Sequence, residues 1–153
     1  MQATPDPRIA GVVTIDLKVF GDDRGRSAEV FRSEWFPQRQ WGQVQCNRSH
    51  SVAGALRGLH FHHRQADYWH PLAGCLRVGL FDLRRQSATR GRAAVIDLSG
   101  EAFRAVFIPP GVAHGYFAVT DVTLLYVVDQ FYTGGDEFGV AWDDPDLGLD
   151  WGT

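Results

Sequence analysis

The apolar segments of this 153-residue chain are short, and each is bounded by glycine, proline, serine, aspartate or threonine. Segments of this length suit β-strands rather than helices. Short, evenly spaced strands between turn residues are typical of a β-sandwich or a β-barrel. The segments predicted to form strands are residues 11–20, 43–47, 55–61, 74–84, 93–98, 105–108, 114–118, 122–131 and 139–142. The sequence therefore predicts an all-β fold of eight or more strands.

The composition also favours strands. The chain has 10 Phe, 5 Trp and 4 Tyr together with 17 Gly and 7 Pro, whereas the helix formers Lys and Met occur once each. The helical candidate is a single turn at residues 33–36 capped by Ser33, because Pro37 and Gly42 prevent a longer helix. Residues 122–128 are apolar on both alternating faces, which predicts a central strand.

Size and charge limit the class of protein. With 153 residues, 44% of them hydrophobic, the chain is expected to form one domain over residues 1–153. Its 15 basic and 18 acidic residues are spread along the chain, which disfavours nucleic acid or an anionic membrane as partner. No apolar run approaches the roughly 18 residues of a membrane-spanning helix. Two cysteines and an N-terminus unlike a signal peptide lead us to expect a cytoplasmic protein.

Histidines and one carboxylate form a pattern with metal-ligand spacing. In a strand, His60 and His62 point to the same face, and Asp67 can return to that face after a short turn. A distant P-x-G-x-x-H segment adds a further histidine. Both segments resemble the metal-binding motifs of the cupin superfamily, with aspartate in the usual place of glutamate. The pattern predicts one divalent transition-metal ion bound by His60, His62, Asp67 and His114. The alternative is that His62 and His63 are solvated and Asp67 caps a turn.

A second resemblance extends from about Gly11 to Trp151. Its motifs are FGDDRG at residues 20–25, QCNRS at 45–49, GALRGLHF at 54–61, DLR at 82–84, PGVAHGY at 110–116 and WDDP at 142–145. In order and spacing they resemble the dTDP-4-dehydrorhamnose 3,5-epimerase family. The resemblance implies a cupin jelly roll, usually a homodimer, that acts on a nucleotide-linked 4-keto-6-deoxy sugar and requires no cofactor.

The same resemblance assigns roles to individual residues. It implies that His60 is the general base and Tyr126 the general acid. The substrate contacts that it implies are Arg24, Gln45, Asn47, Arg57, His114 and Tyr132. A keto group acidifies the neighbouring C–H bonds, so an imidazole can remove a proton and a phenol on the opposite face can return one with inverted configuration. The alternatives are that Arg24 and Arg57 are surface charges and that Tyr126 is a core aromatic residue.

Three residues depart from the family pattern. Asp67 stands where the family has a lysine thought to stabilise the enolate, and Ser27 replaces an aromatic residue that stacks on the nucleobase. His62 replaces a glutamine, so that His62 and Asp67 together complete the cupin ligand set. A metal ion there could polarise the keto oxygen in place of the lysine, but as a ligand His60 could not accept the substrate proton. The competing functions are therefore a metal-dependent cupin isomerase or oxygenase and a catalytically silent sugar-binding cupin.

Overall fold

The computed structural model describes residues 1–153 and consists almost entirely of antiparallel strands. The strands are β1 (Gln2–Pro5), β2 (Val13–Asp16), β3 (Val19–Asp22), β4 (Gly25–Ala28), β5 (Gln45–Ser51), β6 (Leu56–Phe61), β7 (Asp67–Ala73), β8 (Cys75–Asp82), β9 (Ala93–Ser99), β10 (Arg104–Ile108), β11 (Val112–Ala118), β12 (Val122–Val128) and β13 (Phe138–Gly139). Single 3-10 turns cover Ser33–Trp35, Gly100–Ala102 and Pro145–Leu147. No helix is long and apolar enough to cross a membrane.

Two sheets pack face to face around the main core. One has six strands in the order β1-β2-β10-β7-β12-β5, and the other has five in the order β13-β6-β11-β8-β9. The largest cluster of buried apolar side chains includes Leu76, Val78 and Leu80 from β8 and Val106 and Ile108 from β10, so both sheets contribute to it. Burial of such side chains is the main stabilising contribution to a sandwich. The prediction of an all-β, two-sheet fold is confirmed.

The outer faces of both sheets are also covered. Phe36 stacks on Phe107 with ring centroids 4.5 Å apart, beside the buried Tyr68 of the six-stranded sheet. On the five-stranded sheet, Trp151 packs so closely over Gly79 that a Cβ atom at that position would overlap its ring. Strand β12 lies between β7 and β5 and contacts apolar groups on both faces, which explains its continuous apolar sequence and confirms its prediction as a central strand.

Two local predictions need correction. The helical turn begins at Ser33 as expected, but Arg32 occupies the N-cap position and no side chain caps the turn. The strand predicted for residues 11–20 is divided into β2 and β3, because the chain leaves the six-stranded sheet after Asp16. The N–H group of the next residue, Leu17, makes the last contact with the β10 side of the sheet by donating a hydrogen bond to the Phe103 carbonyl over 2.9 Å. Strands β3 and β4 then form a separate hairpin.

Strand β7, which the sequence did not predict, is central to the six-stranded sheet. Its Pro71 lacks the N–H group that a hydrogen-bond ladder needs. The structure accommodates Pro71 opposite Leu124, where the register of β7 against β12 shifts by one residue. Asp67 therefore opens a buried strand and does not cap a turn. As a result, β7 carries Asp67 and Trp69 toward the space between the two sheets.

Candidate active site

A cleft of about 770 Å³ opens between the two sheets and is lined largely by polar side chains. One wall comes from β5, β7 and β12 of the six-stranded sheet, and the other from β6 and β11 of the five-stranded sheet. Residues 130–137, which follow β12, form part of its lining. A concave site with converging polar groups is the usual form of a small-molecule binding site.

The two predicted catalytic residues lie on opposite walls of this cleft. His60 is an exposed residue of β6, where it is paired with His114 of β11. Tyr126 is a half-buried residue of β12, between Asn47 of β5 and Trp69 of β7. A substrate bound between the sheets would therefore present one face to an imidazole and the other to a phenol. Tyr126 lines the cleft and also packs against the main apolar core.

The surroundings of Tyr126 favour its protonated form. Burial raises the pKa of the phenol above its ordinary value, and the negative charges of Asp67 and Glu137 raise it further, while Arg57 opposes the shift. Because an unperturbed tyrosine titrates near pH 10, Tyr126 retains its proton at neutral pH. It can therefore donate that proton as a general acid.

Five predicted substrate contacts line the same cleft, namely Gln45, Asn47, Arg57, His114 and Tyr132. The Gln45 side-chain amide donates to the Asn47 side-chain oxygen over 3.0 Å, and its own oxygen accepts from the Tyr132 backbone N–H over 2.9 Å. Arg57 donates through Nε to the Ser51 hydroxyl over 2.7 Å, which orients its guanidinium beside the cleft. The Tyr132 side chain is 67% exposed. Amides and a guanidinium in these positions can bind polar groups of a ligand, including phosphate oxygens.

Arg24 is the one predicted contact that the structure does not bring to the cleft. It lies on the separate β3–β4 hairpin, where its side chain is 90% exposed and forms a 2.6 Å ion pair with Asp22. The hairpin forms no ladder with either large sheet, so the fold of one chain leaves Arg24 away from the other predicted contacts. Its proposed contact with substrate stays a prediction.

Three of the four predicted metal ligands are brought together, and His60 is not among them. The ligand atoms of His62, Asp67 and His114 lie within 4.8 Å of one another, and all three residues are buried. His60 and His62 both line the cleft, although β6 ends at Phe61, and His60 lies outside this group of three. His62 is 7% exposed and is not a solvated loop residue, whereas His63 is exposed.

Hydrogen bonds fix both histidines of this cluster. The His62 Nδ1 atom lies 2.6 Å from the Asp136 carbonyl oxygen, and the His114 Nδ1 atom lies 2.9 Å from the Val112 carbonyl oxygen. Burial lowers the pKa of His114 below its ordinary value, although the Asp67 carboxylate opposes the shift. His114 is therefore a neutral imidazole at neutral pH, and Nδ1 carries its proton.

Asp136, which sequence analysis did not identify, organises the loop between β6 and β7. Its carboxylate accepts hydrogen bonds from the backbone N–H groups of His63, Arg64 and Gln65 at 2.9, 3.0 and 3.2 Å. Although burial raises its pKa, these donors hold it below the ordinary aspartate value. Ser49 was also missed, but it was recoverable because it continues the alternation of Gln45 and Asn47 along β5.

Comparison with known proteins agrees with this geometry. The family model described as dTDP-4-dehydrorhamnose 3,5-epimerase matches residues 6–153. A dTDP-4-dehydrorhamnose 3,5-epimerase of Methanothermobacter thermautotrophicus is 37% identical over 148 residues, which cover 92% of this chain and 79% of the relative. The chain belongs to the dTDP-4-dehydrorhamnose 3,5-epimerase family. It is an enzyme of the sugar-nucleotide epimerase class, so the predicted family and enzyme class are confirmed.

Solved structures support the same assignment. A dTDP-6-deoxy-D-glucose-3,5-epimerase of Legionella pneumophila, in complex with dTDP-4-keto-L-rhamnose, superposes with a TM-score of 0.90 at 31% identity, covering 98% of this chain and 82% of that one. The 3'-monoepimerase ChmJ of Streptomyces bikiniensis, in complex with dTDP-quinovose, gives 0.88 at 33% identity, covering 96% and 77%. These matches confirm the predicted cupin jelly roll. The epimerase family acts without a cofactor.

Proposed function

We propose that this protein epimerises a dTDP-linked 4-keto-6-deoxy sugar, with His60 as the general base and Tyr126 as the general acid. The observation that carries the proposal is the placement of these two side chains on opposite walls of one cleft. The substrate class is suggested by the Legionella pneumophila and Streptomyces bikiniensis relatives, which bind dTDP-4-keto-L-rhamnose and dTDP-quinovose. Gln45, Asn47 and Arg57 would contact its polar groups.

The reaction needs a base and an acid on different faces of the sugar. The 4-keto group acidifies the hydrogens at C3 and C5, and His60 accepts one of them to leave an enolate. Tyr126 then donates a proton from the opposite face, which inverts the configuration of that carbon. A positioned acid and base typically contribute about 10²–10⁴-fold each to the rate. The raised pKa of Tyr126 keeps its proton available for this step.

Asp67 occupies the position at which the family has a lysine, and its charge opposes an enolate. Two neighbours reduce this effect, since Gln65 donates to one carboxylate oxygen over 2.8 Å and the Trp69 indole donates to the other over 3.1 Å. Arg57 is a cation whose charge acts on Tyr126 across the cleft. We assign to Arg57 part of the positive potential that the enolate and the diphosphate require.

Hydrogen exchange in deuterium oxide tests the proposed function. With dTDP-4-keto-6-deoxyglucose, we expect the enzyme to incorporate deuterium at C3 and C5, because each proton lost to His60 is replaced from solvent. Proton spectra would show both signals disappearing and product of inverted configuration appearing. Exchange at one carbon alone would restrict the activity to a single centre, as in the monoepimerase ChmJ. Binding of the sugar nucleotide without any exchange would contradict the proposal and support a catalytically silent binding protein.

We further propose a homodimer. Strand β1 (Gln2–Pro5) is an edge of the six-stranded sheet and all four of its residues are exposed, so its outer hydrogen-bonding groups are available for pairing. Exposed aromatic residues, including Phe20 of the β3–β4 hairpin, could also become buried against a second copy of the chain. Light scattering should give twice the chain mass of 17.1 kDa, and a mass of one chain at micromolar concentration would contradict the dimer. The predicted cytoplasmic location stays a prediction.

A further inference from the structure

We propose that His62, Asp67 and His114 form a binding site for one divalent transition-metal ion. The ligand atoms of these three buried residues converge within 4.8 Å from three separate parts of the fold. His62 follows β6, Asp67 opens β7, and His114 belongs to β11. The site lies in the lining of the cleft but is distinct from the proposed base His60, and it does not depend on the proposed epimerase activity.

The hydrogen bonds direct three electron-rich atoms toward one point. The Nδ1 atoms of His62 and His114 donate to backbone carbonyl oxygens, so Nε2 is the ring nitrogen of each residue that is directed toward Asp67. Each Nε2 atom lies 3.8 Å from a different oxygen of the Asp67 carboxylate. These distances are too long for hydrogen bonds. A cation between them would be a common partner for all three groups, in place of the Gln65 amide that now donates to His62 Nε2 and to Asp67. Histidine ligands are usually oriented by such an Nδ1–H···O=C bond.

The spacing suits a small ion. Metal–ligand distances of about 2.0–2.2 Å in tetrahedral geometry place neighbouring ligand atoms about 3.3–3.6 Å apart. The two separations of 3.8 Å from histidine Nε2 to carboxylate oxygen need to close by a few tenths of an ångström, and the full set of ligand atoms, which lie within 4.8 Å of one another, must draw in further. The Gln65 amide nitrogen now lies 3.2 Å from His62 Nε2 and 2.8 Å from an Asp67 oxygen, where it acts as a donor to both. Reversal of this amide would turn its oxygen toward the ion.

The donor set indicates the class of metal. Two imidazole nitrogens and one carboxylate suit Zn²⁺, Fe²⁺, Co²⁺ or Mn²⁺, whereas Ca²⁺ and Mg²⁺ prefer sites built from oxygen alone. Three protein ligands leave coordination positions that face the cleft. When bound, such an ion supplies Lewis acidity toward an oxygen ligand. It would also offset the charge of Asp67. Because His60 lies outside this group of ligands, its lone pair stays free, and metal binding does not compete with proton abstraction.

Direct metal titration tests the site. Tag-free protein, stripped with a chelator and titrated with Co²⁺ at neutral pH, should bind one ion per chain and develop the visible absorption of nitrogen-ligated Co²⁺. Asp67→Asn and His62→Gln should each weaken the affinity at least about 100-fold, because each removes a direct ligand. His50→Gln, which changes an exposed histidine on β5, should bind as the unchanged protein does.

The two site variants retain similar shape, and the circular dichroism of each metal-free protein will show whether it is folded. A measurement on the unchanged protein adds an independent test: Zn²⁺ should shift the ¹⁵N resonances of Nε2 in His62 and His114 and leave those of His60 and His50 in place. Absence of stoichiometric uptake, equal affinity in the Asp67→Asn variant, or a Zn²⁺ shift confined to other histidines would overturn the proposal. The exchange assay, performed on chelator-treated protein, tests the epimerase function separately.

Discussion

Replacing His60 with alanine is expected to lower both epimerisation and solvent exchange at the sugar carbons by at least about a hundredfold. His60 is an exposed side chain in the lining of the cleft, opposite Tyr126, and is the proposed general base. Without the imidazole no enolate forms, so exchange and inversion should be lost together. The measurement is the rate of deuterium incorporation, followed by proton spectra in deuterium oxide.

His63, three residues after His60, provides a matched control. His63 is exposed, does not line the cleft, and packs against Phe61 and Phe138 instead. The His63→Ala variant should therefore retain its exchange rate within a few-fold. Full exchange in a folded His60→Ala protein would show that another group abstracts the proton, and the assignment of the base would be wrong.

Replacing Tyr126 with phenylalanine should separate exchange from inversion. The variant keeps the aromatic ring and loses only the hydroxyl that returns the proton. His60 can still remove a proton and return a deuteron to the same face, so labelled substrate of unchanged configuration should accumulate. We expect formation of inverted product to fall by about a hundredfold, with exchange partly retained. Chromatographic separation of the epimers, combined with mass analysis of the label, measures both quantities.

Two further measurements constrain this prediction. Binding of dTDP should be unchanged in Tyr126→Phe, because the proposed role of the lost hydroxyl is to protonate the sugar, which dTDP does not contain. In the unchanged enzyme, the raised pKa of Tyr126 should place the alkaline loss of inversion above the pKa of about 10 for a free tyrosine. Undiminished inversion in the phenylalanine variant would contradict the role of Tyr126 as the acid.

Much of the site was predictable because its residues belong to continuous motifs on strands. Gln45 and Asn47 share a face of β5 by alternation alone, and the RGLHF segment places Arg57 and His60 on one strand. Family resemblance supplied their roles. Of the four residues in the metal prediction, the structure brings His62, Asp67 and His114 together and leaves His60 outside that group, so the metal site itself stays a prediction.

Local properties of the sequence were sufficient to predict strands, turns and the absence of long helices. Alternating apolar residues and turn-forming glycines act over a few positions, so they determine secondary structure wherever tertiary contacts do not override them. They located β12 as a central strand but missed β7, in which Pro71 lies beside a one-residue shift of register against β12. Whether a strand accommodates a proline depends on the strand beside it, and the sequence of a single segment does not identify that neighbour.

Only the tertiary structure decided which functional groups meet. The bond between His62 and the Asp136 carbonyl joins residues 74 positions apart, and Asp67 meets His114 across two different sheets. Tyr126 reaches the opposite wall from His60 for the same reason, whereas Arg24 remains on its hairpin. Distances between such groups depend on how the two sheets pack and on the conformation of the loops. The local periodicity of the sequence determines neither of these. Sequence therefore determined the set of reactive side chains, and packing of the two sheets determined which of them can act together.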